Sequence, residues 1–342
     1  MNPTPTSTPA PSLTSPLPAA ARRPVSWEGP GQGGQAGRSG GRPVVSVTEL
    51  RRAWAAVQAG TYRDPSVPTL RPDGRLPAWQ ADPSEVARAP WQRAAGEVVL
   101  PVIGCTGACG ATVLAAALAT AALAHDASGT PATAARVVEC SPPTSSGLAA
   151  ASTSELGVHR SGWLRGSRGD LLLERPAADV AGADTVPSPS DLGDSPSGDR
   201  SGHGCEAGLT VLDVGWDLQQ ALARTSWLRS ELVHAQHLVL TTTATVPGLR
   251  RLEVHLGLLA GLGATVHAAV LGPPRRRWPR AVAHSLGART RALDAAGRLT
   301  GLPYDRGLAV TGLGPAPLPP PLLLAATRLL DATVTTTRGD LP

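Results

Sequence analysis

The chain has 342 residues and a formal charge of +5, room for one large domain or two small ones. Hydrophobic residues make up 42% of it, so a sizeable core can form, although aromatics are 3% and Phe is absent. All 31 cationic side chains are Arg, which excludes any lysine-dependent chemistry. A charge of this size permits contact with nucleic acid or anionic lipid but does not demand it. The cysteines Cys105, Cys109, Cys140 and Cys205 fall in apolar or low-complexity sequence, unlike a secreted disulfide framework. Together with an N-terminus that lacks a basic-then-apolar signal pattern, they point to the cytoplasm.

Residues 1–45 are Pro, Ser, Thr, Ala and Gly with few large apolar side chains. Such a segment cannot bury enough surface to offset its ordering entropy and reads as a disordered arm. Ser46-Val47-Thr48-Glu49 reads as a capping box opening a helix over Val47–Ala59, with apolar residues at helical spacing. The Pro-rich remainder of 46–95 is an irregular lead-in, and residues 96–334 are the main domain.

Val98–Ile103 predicts a strand, residues 104–112 a small-residue loop, and Val113–Ala124 a helix. Ala135–Cys140 predicts a strand carrying Glu139. Trp163 reads as a core residue, and Asp170 and Glu174 as surface charges. Residues 176–207 are rich in Ser, Gly, Asp and Pro and read as a flexible insertion. Leu209–Val214, ending near Asp213, is the next strand, with helical sequence through 235. Strands follow at His237–Thr242, Ala264–Leu271 and Arg298–Leu302, and helices at Val246–Ala260, Pro279–Ala296 and Pro320–Ala332. Nearly all-apolar strands alternating with helices predict an α/β fold, a doubly wound, mostly parallel sheet covered on both faces.

A strand, a glycine-rich turn and a helix N-terminus together make an anion site, because backbone N–H groups point into the turn and the helix adds partial positive charge. The phosphate-loop pattern G-x-x-x-x-G-K-[ST] ends here on Gly110, Ala111 and Thr112, with Ala where Lys belongs. Thr106-Gly107-Ala108-Cys109-Gly110-Ala111-Thr112 resembles, position by position, the K-G-G-x-G-K-[ST] loop of the ParA/MinD ATPases, with both lysines replaced. This lysine-less form is similar to the CpaE-like and septum-site-determining relatives. Leu209-Thr210-Val211-Leu212-Asp213-Val214-Gly215 resembles their Walker B strand, and Leu302-Pro303-Tyr304-Asp305 their late P-x-D strand exit.

The resemblance implies a P-loop NTPase-like domain that binds ATP or ADP with Mg²⁺. Phosphate would be held by Gly104, Thr106, Gly107, Ala108, Cys109, Gly110, Ala111 and Thr112. Thr112 and Asp213 would hold the metal, and Glu139 would orient water. It also implies protein partners, a homodimer among them, and a regulatory or positioning role with weak or absent hydrolysis. Two alternatives stand beside it. One is a working ATPase of a partition or secretion system in which an Arg replaces the lysine. The other is a membrane-anchored structural protein using the uncharged stretch 98–124, against which Pro101 and three glycines stand. Arg275, Arg276, Arg277 and Arg280 form the densest basic run, a candidate contact for DNA or an anionic membrane surface and otherwise a solvated loop.

Overall fold

The computed structural model describes residues 46–58, 91–94, 96–124, 134–142, 145, 147–159, 161–177, 180–189 and 208–339. The proposed arm 1–45, most of the lead-in 60–95 and most of the insertion lie outside them.

Nine strands form one sheet among the described residues. They are β1 (Val98–Gly104), β2 (Ala134–Cys140), β3 (Ser154–His159), β4 (Trp163–Arg168), β5 (Leu171–Pro176), β6 (Gly208–Val214), β7 (His237–Thr243), β8 (Thr265–Gly272) and β9 (Leu299–Pro303). Their order is β3-β4-β5-β2-β6-β1-β7-β8-β9. Neighbours from β5 to β9 pair in parallel, and β4 runs against both of its neighbours.

The parallel strands are apolar on both faces because helices cover both. In β1, Leu100 and Val102 face α2 (Ala111–Ala124) and α9 (Pro320–Gly339), while Val99 and Ile103 face the opposite cluster. That second cluster is closed by α3 (Leu218–Ala223), α4 (Trp227–Val233), α5 (Val246–Leu259), α6 (Arg280–His284) and α7 (Ala288–Ala295). α8 (Arg306–Thr311) follows β9. Small Ala side chains let α2 lie close on the sheet, with Leu114 and Leu118 fully buried.

Ser46 and Glu49 form the reciprocal capping box: the Glu49 N–H donates to Ser46 Oγ at 3.1 Å and the Ser46 N–H to Glu49 Oε2 at 2.9 Å. It opens α1 (Val47–Gln58). Glu49 also accepts from the Gly169 N–H at 2.6 Å and from the Thr153 hydroxyl, which docks α1 on the β3–β5 edge.

Several expectations are corrected. β3–β5 are strands that the sequence analysis does not expect: β3 and β4 mix Arg, Glu and Gly with apolar residues, and β5 has only the short run Leu171–Leu173 before Glu174 and Arg175. The described part of the stretch expected to be flexible is packed against the domain. Val180, Ala183 and Val186 are buried, Trp227 Nε1 donates to the Val186 carbonyl at 2.8 Å, and Trp163 Nε1 donates to the Ser188 carbonyl at 2.8 Å. The helix expected over 279–296 is two, α6 and α7, separated by Ser285–Gly287. Residues 98–124 divide into β1, a loop and α2, and no helix among the described residues is long and apolar enough to cross a membrane, so the anchor reading of this stretch falls.

Glu174 is not a surface charge but fully buried. It accepts from Arg136 Nη1 at 3.2 Å and Arg165 Nε at 2.9 Å. Arg136 also reaches Glu97 Oε1 at 2.9 Å and Thr210 Oγ1 at 2.7 Å, under the Trp91 ring. Two guanidinium groups and two carboxylates thus balance inside the sheet, where a buried charge is tolerated only when paired. Glu174→Gln removes one of the two carboxylates. It is expected to lower unfolding free energy by about 3 kcal/mol, read as a lower urea midpoint; an unchanged midpoint would contradict this account of the cluster.

Candidate phosphate-loop site

β1 lies between β6 and β7, and α2 carries the chain from the end of β1 past β6 to β2. The connection after β1 therefore sits at a reversal of strand order, at the carboxyl edge of the parallel strands, where open α/β sheets leave a crevice. β7 holds the loop from its other side. The Cys105 N–H donates to the Thr241 carbonyl at 2.8 Å, and the Cys109 thiol lies 3.0 Å from the Thr241 hydroxyl. Both thiols are buried, and burial pushes the Cys105 thiol well up. They pack and anchor the loop, which suits small apolar side chains.

Two residues turn the backbone left-handed: Gly110 at φ 84° and Ala108 at φ 56°. Glycine meets the first demand without cost, whereas Ala108 carries about 1 kcal/mol of strain. Ala108 stands at a glycine of the K-G-G-x-G-K-[ST] loop, and the positive φ supplies the physical reason for that glycine. The turn ends as the Leu114 N–H donates to the Gly110 carbonyl at 2.9 Å, starting α2. First-turn N–H groups of a helix have no intrahelical partner and are available to an anion.

Gly104 through Val113 line a cleft of about 770 Å³ together with Ser141, Asp213, Trp216, Asp217, Arg251 and His255. The expected loop residues Gly104, Thr106, Gly107, Ala108, Cys109, Gly110, Ala111 and Thr112 are thus brought together with Asp213. Glu139 is not among the lining residues; it is buried in β2 as the register partner of Asp213. The end of β6 is crowded. A Cβ on Gly215 would come 2.4 Å from Ser141 Cβ, so the β6 exit can pass the end of β2 only as glycine.

Asp213 is fully enclosed, and burial pushes its carboxyl from 3.8 up to about 7. The nearby Thr112 hydroxyl pulls the other way, while the Glu139 charge pushes it higher. A hydroxyl and a carboxylate are the hard oxygen donors that Mg²⁺ takes, so this pair fits that ion chemically. A second, smaller cleft of about 370 Å³ adjoins the loop at Ala108, Gly110 and Val113 and is walled by Leu271, Leu302, Pro303 and Tyr304. Asp305 caps α8 there, accepting from the Leu308 N–H at 2.8 Å.

The architecture is a doubly wound, mostly parallel α/β sheet with the glycine loop at its switch point. Neither a family model nor a curated protein sequence matches the chain. Among solved structures, the chain is similar to a plasmid partition protein from Borrelia burgdorferi, at 9% identity and TM-score 0.42 over 72% of this chain and 100% of that one. It is similar to the MinC:MinD cell division protein complex of Aquifex aeolicus, at 13% identity and TM-score 0.43 over 72% and 97%. A third is the septum site-determining protein MinD complexed with Mg-ADP from Pyrococcus horikoshii OT3, at 12% identity and TM-score 0.41 over 72% and 100%. Overlays this loose add no weight to the chain's own topology.

Arg275, Arg276, Arg277 and Arg280 are exposed and follow β8, at the same edge of the sheet as the loop. Arg275 pairs with Asp294 and lies over the Trp278 ring. Trp216, Asp217, Arg251 and His255 join the site without being among the expected site residues. Strand order places them: β6 and β7 flank β1, so the starts of α3 and α5 face the same crevice.

A carboxyl whose folded value lies above its unfolded one binds an extra proton in the native state, so its contribution to stability falls as pH rises between the two. For Asp213 that window runs from 3.8 to about 7. Measured without Mg²⁺ or nucleotide, Asp213→Asn should gain stability over the parent at pH 8, by about 2–4 kcal/mol more than at pH 4.5. A gain independent of pH would show that Asp213 is not held against its charge.

Proposed function

We propose that the chain is a ParA/MinD-type regulatory or positioning protein that holds ATP or ADP with Mg²⁺ in the 104–112 cradle, binds protein partners, and hydrolyses slowly or not at all. The observation that carries this reading is the convergence of Thr112 and Asp213 on the cleft that the backbone loop lines. It brings the hydroxyl at the metal position of α2 together with the carboxylate at the end of β6. Thr112 would ligate the ion, and Asp213 would hold its water shell. Bound Mg²⁺ would neutralise phosphate charge. The backbone of Gly107–Ala111 would receive the phosphate oxygens, and the apolar cleft beside Leu271 and Tyr304 would take the base.

Slow turnover follows from Ala111. The phosphate-loop lysine stabilises charge that develops on the transferred group, and loss of one such contact costs about 100–1,000-fold in rate. Glu139, buried behind Asp213 and off the cleft wall, is badly placed to orient an attacking water. A second copy of the chain is the first partner to test. The exposed run at Arg275–Arg277 and Arg280 makes DNA or an anionic membrane surface a further class.

Titration of the purified protein with labelled ATP and ADP tests the reading. Binding that strengthens with Mg²⁺, with steady-state turnover near background, is expected. Brisk hydrolysis would instead favour a working partition or secretion ATPase, and no binding of either nucleotide would remove the proposal. The same preparation should lose DNA or anionic vesicles steeply as salt rises if the arginine run is used; no binding at low salt ends that part.

A further inference from the structure

The loss of both lysines leaves the loop without a side-chain cation, yet the chain builds one into the opposite wall of the cleft. We propose that Arg251 on α5 supplies the positive charge that Ala111 lacks, pairing with the terminal phosphates of the bound nucleotide. The inference rests on the nucleotide reading above and names the residue that gives the site its selectivity for phosphate number.

The fold sets the position. β7 anchors the loop through Thr241, and α5 starts directly beyond β7, with the Thr245 hydroxyl accepting from the Gly248 N–H at 3.1 Å as its cap. Arg251 lies in the second turn and lines the same cleft as Ala111, Thr112 and Asp213. Among the described residues lining that cleft, it is the one guanidinium.

The surroundings leave its charge available. Arg251 is exposed, and no carboxylate of the described residues forms an ion pair with it. The acid nearest in sequence, Glu253, is taken by the opening of α7. It accepts from the Arg289 N–H at 2.9 Å and from the Thr290 N–H at 2.9 Å and hydroxyl at 2.8 Å. Two other arginines on this side of the sheet are engaged: Arg275 with Asp294, Arg289 with Glu253 at 3.7 Å. His255, one helical turn on, lines the cleft as well. Its Nδ1 donates to the Arg251 carbonyl at 2.8 Å, which fixes the ring tautomer and leaves Nε2 as the second nitrogen.

The chemistry suits the assignment. A guanidinium presents a planar fork of N–H donors to phosphate oxygens, stays charged, and makes stronger, charge-assisted hydrogen bonds. Asp213 and Asp217 face the same space, so without Arg251 an incoming polyphosphate would meet acid rather than base.

The test is an affinity series of AMP, ADP and ATP, with Mg²⁺, against the full chain. Arg251→Ala should weaken ATP about 10–100-fold, ADP less and AMP least. Arg251→Lys should retain most of the affinity, and Arg250→Ala, an exposed neighbour off the cleft, should change none. Adding Ala111→Lys to Arg251→Ala should restore ATP binding. An Arg251→Ala affinity equal to the parent's overturns the assignment while the nucleotide reading stands. A uniform loss across all three nucleotides, with no rescue by Ala111→Lys, also overturns it, because that is the mark of a structural role. A parent chain that binds none of them overturns the nucleotide reading and this inference together.

Discussion

The parallel pairing of β1 with β6 sets the start of α2 beside the end of β6, and the geometry of the site depends on it. Val102 lies beside Asp213 in register. One strand delivers the loop and its neighbour delivers the acid to the same edge. On the other side β7 holds the loop through Thr241. The loop is therefore pinned on that flank while it lines the cleft, the arrangement that lets amide groups meet an anion without reorganising.

The same constraint explains the acid's energetics. Asp213 is enclosed, with Glu139 as its register partner on β2, so its charge is disfavoured in the empty protein. A cation at Thr112 would relieve that penalty. Stability given up at such a position is the usual mark of a binding site. Away from the cleft the opposite rule holds: Arg136, Arg165, Glu97 and Glu174 are paired with one another.

The parts of the fold legible in the sequence were those in which local pattern and tertiary role agree. β1, β2, β6, β7 and β8 are covered on both faces, and each carries a readable run of Val, Leu, Ile or Ala. The capping box at Ser46 and Glu49 works through side chains three residues apart, so it was readable as well. β3–β5 were not, because they hold Arg165 and Glu174 where an apolar residue would signal a strand. Their burial rests on Arg136, which lies on a strand more than twenty residues away. The split between α6 and α7 was hidden because the helix-forming residues around it gave no sign of the break at Ser285–Gly287. At the site, the loop and Asp213 could be found from motif order. Arg251 could not, since its role comes from where α5 starts relative to β1, a fact of strand order rather than of spacing.

The central claim is that the backbone of residues 104–112 receives an anion beside Asp213. Amide hydrogen exchange of the full chain, with and without Mg²⁺-ADP, tests it most directly. Slower exchange should concentrate in peptides spanning 104–114, with a smaller effect at the end of β6. Unchanged exchange there at a nucleotide concentration that saturates the protein, with protection appearing elsewhere, would contradict the account.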